Sequence, residues 1–234
     1  MEARRMSTVR EVLDEFLEEQ RARLGPGMYK YYERTVELLE AYMDDYPVHL
    51  IRRTGVPPEG PSRGRTATRC DALGPDVIDA DLLLDFLHGH MVREVRCGRT
   101  LMRMAITVTR RLVGWLNGRG LMDDQERQRA LDGVRDISGY LPGIVDMARR
   151  MAEHVERNPA GEHAEAVDGY FTVTRSEPGA LWLRDCIHGG EEVGPVPVSE
   201  GVTAACVEGW TLRLGLGRTE EGWRVLWSGR AYPF

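Results

Sequence analysis

Seven arginines and a single acid, Glu94, lie from Arg93 to Arg119. At about 100° per residue, Arg96, Arg99, Arg103 and Arg110 share one face of a helix over roughly 96–118, with Arg111 at its margin. Guanidinium groups form planar forks that match phosphate oxygens, and neutralising phosphates releases counterions. A solvated helix face normally interleaves both signs of charge. The run therefore reads in one of two ways: a polyanion-binding face, or the plain solvated side of an amphipathic helix.

Other reactive side chains form weaker constellations. Cys70, Cys97, Cys186 and Cys206 include no C-x-x-C pair and read as free thiols, used as small buried hydrophobes. His88, His90 and Cys97 could ligate a metal, but helical spacing puts residues 88 and 90 on different faces. Cys186 and His188 share a strand face without the four ligands, or three and water, that zinc wants. Trp210, Trp223 and Trp227 sit in phase with other apolar residues and are expected to fill a small β-core rather than to stack bases with Trp182. No G-x-S-x-G, H-E-x-x-H or phosphate-cradling glycine loop occurs, and no cofactor is expected.

Thirty arginines accompany one lysine, Lys30, which leaves little room for lysine chemistry. The net charge of −6 is unevenly spread: −4 over 1–46, +5 over 47–120, −4 over 121–165 and −3 over 166–234. An acidic chain with one basic region can still hold a polyanion, because local field outweighs net charge. The charged opening MEARRMSTVREVLDEF carries no signal peptide, and no apolar run approaches the roughly 20 residues that span a bilayer. The expectation is a cytoplasmic protein with no membrane partner.

These residues need elements to position them. Thr8 with Glu11 forms a capping box that opens a first helix. Gly25-Pro26 ends it and starts a second, with Tyr29, Tyr32, Val36, Leu39 and Tyr42 as its apolar stripe. Prolines and glycines make 46–75 a long loop. A third helix is expected over about 79–90. The fourth, over 96–118, turns Leu101, Met104, Ala105, Val108, Leu112, Trp115 and Leu116 inward. Residues 123–157 read as two helices broken near Gly139–Gly143. A polar stretch at 158–166 serves as linker. Beyond it the period drops to two, giving strands at 170–175, 180–187, 191–198, 210–216 and 223–227. The reading is an α+β chain: a helical domain over 1–157 and a small β-barrel, SH3-like or OB-like, over 167–234.

The segments VREVLDEFLEEQRARLGPGMYKYYERTVELLEAYM (9–43) and DVIDADLLLDFLHGHMVREVRCGRTLMRMAITVTRRLVGWLNGRGLM (76–122) resemble the core-binding, SAM-like N-terminal domain of phage integrases and other tyrosine recombinases. Phe16, Leu17, Leu24, Tyr29, Tyr32 and Leu39 carry the first match. Leu83, Phe86, Thr100, Arg103, Leu112, Trp115 and Gly120 are among those carrying the second. The resemblance covers about half the chain and implies a four-helix domain that clamps duplex DNA through basic helix faces. On that implication the DNA-binding candidates are Arg96, Arg99, Arg103, Arg110, Lys30 and Arg34.

The recombinase catalytic domain does not follow. His90–Arg93 spells H-x-x-R and Tyr232 is a late tyrosine, but both read as coincidence, because geometry and not letters makes a site. The expected function is a non-catalytic, double-stranded-DNA-binding accessory or regulatory protein, with the barrel recruiting a partner or a second copy. The alternative is a protein-interaction module built on the same bundle without nucleic acid.

Overall fold

The computed structural model describes residues 7–45, 68–95, 97–159, 161–187 and 189–233. Most of the expected loop, 46–67, lies outside the described residues, as does Arg96. The protein is α+β, with helices N-terminal and a five-stranded antiparallel sheet C-terminal. It divides into two compact units, Met1–Met91 with Arg103–Ser138, and Val92–Met102 with Gly139–Phe234.

In the first unit, α1 (Val9–Arg23) opens on the expected capping box: the Glu11 N–H donates to Thr8 Oγ1 at 3.2 Å and the Thr8 N–H to Glu11 Oε2 at 2.9 Å. Two of the helix's orphan donors are thereby satisfied. α2 (Pro26–Asp45) begins at proline, whose missing N–H costs nothing in a first turn. The two helices meet through Phe16 and Tyr32, whose ring centroids are 6.0 Å apart.

Arg10 then ties α1 to α2 and to the chain beyond residue 67. Its guanidinium donates to Asp71 (2.7 Å), Glu40 (3.0 Å) and Thr68 (2.9 Å). Burial raises the Glu40 carboxyl above its ordinary value, with Arg10 opposing. The Thr68 backbone and hydroxyl hold Asp71 below its own.

α3 runs over 80–93. Asp79 caps it by accepting from the Leu82 N–H at 2.7 Å, and its middle, Phe86–His90, is a π turn. α4 (Arg99–Gly118), from Arg103 onward, and α5 (Asp124–Ser138) complete the helices of this unit. α5 lies against α3: Arg129 pairs with Asp81 at 2.6 Å, and Gly133 sits so close to Leu84 that a Cβ there would fall 2.4 Å from Leu84 Cδ1.

Beyond Ser138 the second unit continues with α6 (Leu141–Arg157), the later half of the expected helical pair. The sequence boundary at 158–166 groups this helix with the bundle, whereas compactness groups it with the sheet. Ile144, Met147 and Met151, three and four residues apart, form one stripe in the same core as the strands. The strands are β1 (Glu165–Glu177), β2 (Ala180–Asp185), β3 (Val193–Pro197), β4 (Thr211–Thr219) and β5 (Gly222–Tyr232). A single-turn α7 (Glu200–Thr203) precedes β4.

The sheet order is β3-β2-β1-β4-β5. Phe171, Val173, Leu181, Leu183, Val196, Leu212, Leu214, Leu216 and Val225 face the core with α6. Burying each such side chain contributes about 1.5–3 kcal/mol.

The ladders leave the sheet open, where the sequence suggested a closed barrel. β3 and β5 approach each other without exchanging a ladder. β3 carries Pro195 and Pro197, which have no N–H to donate, so it is suited to be an edge.

Of the three tryptophans expected in the core, two lie there and one does not. Trp210 is buried, and its ring approaches Gly143 of α6, where a Cβ would lie 3.0 Å from Cη2. Trp223 packs at the core margin. Trp227 points the other way. Leu216 pairs with Val225 but Gly215 with Trp227, so β5 advances two residues while β4 advances one. This bulge inverts the alternation. Trp227 crosses Gly215 on the outer face, and its indole N–H donates to Asp168 at 2.8 Å.

Candidate nucleic-acid interface

α4 is the element that positions the arginine run. Its buried residues are Met102, Ala105, Ile106, Val108, Thr109, Leu112, Val113 and Leu116. The sequence centred the inward face on Leu101, Met104 and Trp115, which are only half-buried. The buried arc is thus turned about 60° toward Met102, Ile106, Thr109 and Val113 at 100° per residue. Trp115 still reaches the first helix, meeting Phe16 edge-on with ring centroids 5.7 Å apart.

Rotation leaves the arginine stripe outward. Arg99, Arg103, Arg110 and Arg111 are exposed, accompanied by Thr100, Thr107, Gly114 and Gly118. No carboxylate lies on α4. Gly114 and Gly118 have nothing within 4 Å of a Cβ, so the helix surface beyond Arg110 is low and unobstructed. The Thr107 hydroxyl is spent on the Arg103 carbonyl at 2.9 Å. From Arg99 to Arg110 the stripe extends about 16 Å, the axial rise of about five nucleotides on one strand.

Ion pairing separates these arginines from their neighbours. Among the described residues, Arg99, Arg103, Arg110 and Arg111 have no carboxylate partner. The acids of the preceding helix are engaged in their own contacts: Asp79 caps α3, Asp81 pairs with Arg129, and Asp85 accepts from the Tyr42 hydroxyl at 2.5 Å. Arg119, past the end of α4, is different. It pairs with Glu15 at 2.5 Å and with Glu19. The Trp115 indole is the largest influence holding the Glu19 carboxyl below its ordinary range, although that N–H reaches no full hydrogen-bond geometry.

The other candidates are placed less favourably. Lys30 and Arg34 are exposed on α2 but interleave with Glu33 and Glu37. Arg34 pairs with Glu37 at 3.0 Å, and Lys30 lies 5.4 Å from the Tyr31 ring centroid. An open depression of about 450 Å³ beside them is lined by Arg21, Leu24, Pro26, Tyr29, Lys30 and Glu33, a mixed-charge set. Arg111, left at the margin by the sequence, is fully part of the exposed face. Its adjacency to Arg110 was the available signal.

The remaining reactive groups sit as follows. His90 is buried in the π turn between Tyr42 (5.3 Å) and Phe86 (6.2 Å), and Tyr232 packs against Tyr170 at 6.0 Å. Burial pushes the Cys70 thiol up to about 12 and the Cys97 and Cys206 thiols to about 11. Cys186, expected to be buried, is exposed at the end of β2. His188 lies outside the described residues. Among the described residues no three His, Cys, Asp or Glu side chains converge as a metal site would require.

Comparison with protein families, characterised proteins and solved structures returns no match for this chain.

Proposed function

We propose that the protein is a non-catalytic DNA-binding accessory factor that holds duplex phosphates on the exposed face of α4. The observation that carries this reading is the pairing contrast. Arg10, Arg34, Arg119, Arg129 and Arg135 each meet a carboxylate, whereas Arg99, Arg103, Arg110 and Arg111 meet none among the described residues. Four unneutralised guanidinium groups on one helix face repel one another, and a polyanion relieves that repulsion. Phosphate contacts of this kind position a protein on DNA without reading its sequence. The resemblance of 9–43 and 76–122 to the recombinase core-binding domain points the same way.

The test is fluorescence anisotropy with a labelled random-sequence duplex across a salt series. The comparison protein carries Arg99→Ala, Arg103→Ala, Arg110→Ala and Arg111→Ala. Each neutralised phosphate adds about 0.9 to the slope of log affinity against log salt, so four contacts account for about 3.6. Between about 50 and 200 mM salt, wild type then loses about 150-fold more affinity than the variant. Equal slopes for the two proteins would refute the reading.

The rival is a protein-interaction module. It draws on α2, where Lys30 and Arg34 are interleaved with acids like an ordinary solvated face. A folded wild type with no duplex binding at low salt would leave that rival standing.

A further inference from the structure

The sheet unit carries a charge separation that its regional net charge conceals. All six arginines of 166–234 lie on strands. Of the nine acids there, only Asp168, Glu177 and Asp185 do, and the other six occupy turns, loops or α7. Alternation points Leu181 and Leu183 into the core, which turns Trp182 and Arg184 outward. In the same way Leu212 and Leu214 turn Arg213 outward.

The ladders then set cations beside rings on this outer face. Arg175 is the partner of Trp182, and its guanidinium lies 3.7 Å from the indole centroid. Arg213 is the partner of Tyr170, 5.9 Å from that ring and 5.6 Å from Trp227. The acids on the face are engaged: Asp168 by the Trp227 indole and Glu177 by Arg175. Arg184 and Arg213 are exposed and have no carboxylate partner among the described residues.

We infer that this outer face is a binding surface for single-stranded DNA, with bases stacking on Trp182, Tyr170 and Trp227 and phosphates meeting Arg184 and Arg213. Aromatic rings interspersed with unpaired arginines are the platform that unstacked bases on a flexible backbone require, and every base offers a π-face. A duplex hides its base faces, so this platform serves unpaired strands. Cation–ring contacts also hold the Arg213 guanidinium in place before a ligand arrives. Among the described residues the exposed large hydrophobics are Met28, Ile187 and Val207, none of them on these strands. The inference stands independently of the reading of α4.

The experiment uses the full chain with two labelled probes of equal length, an oligo-dT strand and an abasic strand. One variant is Trp182→Ala, with Trp182→Phe beside it to keep a ring. A second combines Arg184→Ser and Arg213→Ser, both at exposed positions that leave the core untouched. Oligo-dT should bind more tightly than the abasic strand. Trp182→Ala should weaken it by about five- to 150-fold, the range for removing one stacking ring, with Trp182→Phe close to wild type. The arginine pair variant should show a shallower salt dependence for oligo-dT and unchanged duplex binding, while the α4 quadruple variant keeps oligo-dT binding. The inference is overturned if the abasic strand binds as tightly as oligo-dT, or if the arginine pair variant binds oligo-dT as wild type does. Loss of oligo-dT binding only in the α4 quadruple variant would also overturn it.

Discussion

Replacing Gly215 with alanine probes the packing that turns Trp227 outward. A Cβ at that position would lie 2.1 Å from Trp227 Nε1 and 2.6 Å from Asp168 Oδ1. The indole could not stay where it donates to Asp168 at 2.8 Å. Forcing atoms into an occupied space costs about 1–3 kcal/mol. The lost hydrogen bond adds about 1 kcal/mol on an exposed face, for a total of about 2–4 kcal/mol. A domain of this size loses about 4–8 °C per kcal/mol, so the sheet unit should melt at least about 8 °C lower. Thermal unfolding by circular dichroism reads the cost, and the Trp227 indole N–H signal in an NMR spectrum reports the displaced ring. Gly114→Ala in α4 is the opposite case, since nothing lies within 4 Å of its Cβ. It should stabilise the protein by about 0.5–1 kcal/mol. An unmoved indole resonance and an unchanged melt for Gly215→Ala would refute the packing of Trp227 over a bare backbone.

Thr8→Ala removes the hydroxyl that accepts from the Glu11 N–H and should cost about 1 kcal/mol, read by urea denaturation. Asp146 is buried on α6, and burial alone would raise its pKa, but hydrogen bonds from Arg149 and Arg150 outweigh this and hold it below the ordinary value. A carboxyl lowered by folding stabilises the protein above its unfolded pKa, about 3.9, and that stability drains away as pH falls through the folded value. Asp146→Asn should therefore be less stable than wild type by about 1–2 kcal/mol at neutral pH, with the gap closing below about pH 4 in denaturant titrations. A thiol-reactive dye should modify exposed Cys186 rapidly in the native protein. Buried Cys70 and Cys97 should be labelled only on unfolding, as mapped by mass spectrometry.

Local signals in the sequence carried well into the structure. The Thr8–Glu11 box, the Gly25-Pro26 break and the glycine–proline interruption before α6 are written in neighbouring residues. Their physics is local, and each appears where expected. The five strands were equally legible from their period of two. Long-range features were not. The buried arc of α4 depends on what packs on its flanks, which promotes Ile106, Thr109 and Val113 over Leu101 and Met104. Trp227 is in phase with Val225 on paper. Only pairing with β4 shows the extra residue that turns it outward. The stripe on α6 is amphipathic whichever neighbour it serves, so nothing local tells that Met147 and Met151 line a sheet. Of the site, the arginine stripe was visible from spacing. That those arginines meet no carboxylate among the described residues depends on tertiary placement, which spacing does not reveal.

The bulge in β5 also fixes where that strand can change length. Leu226 is the surplus residue, standing between the Val225–Leu216 and Trp227–Gly215 partners. Deleting it would remove this shift and leave every later residue on its present face. A second surplus residue lies between the Ser228–Leu214 and Ala231–Leu212 partners, and the loss of one residue there would likewise leave Ala231 facing the core. Leu226 also covers Gly217, where a Cβ would now meet its Cδ2 at 2.7 Å. A shorter strand would free position 217 to carry a side chain. Over evolutionary drift, the loss of one residue at 226 and the gain of a larger one at 217 should therefore travel together.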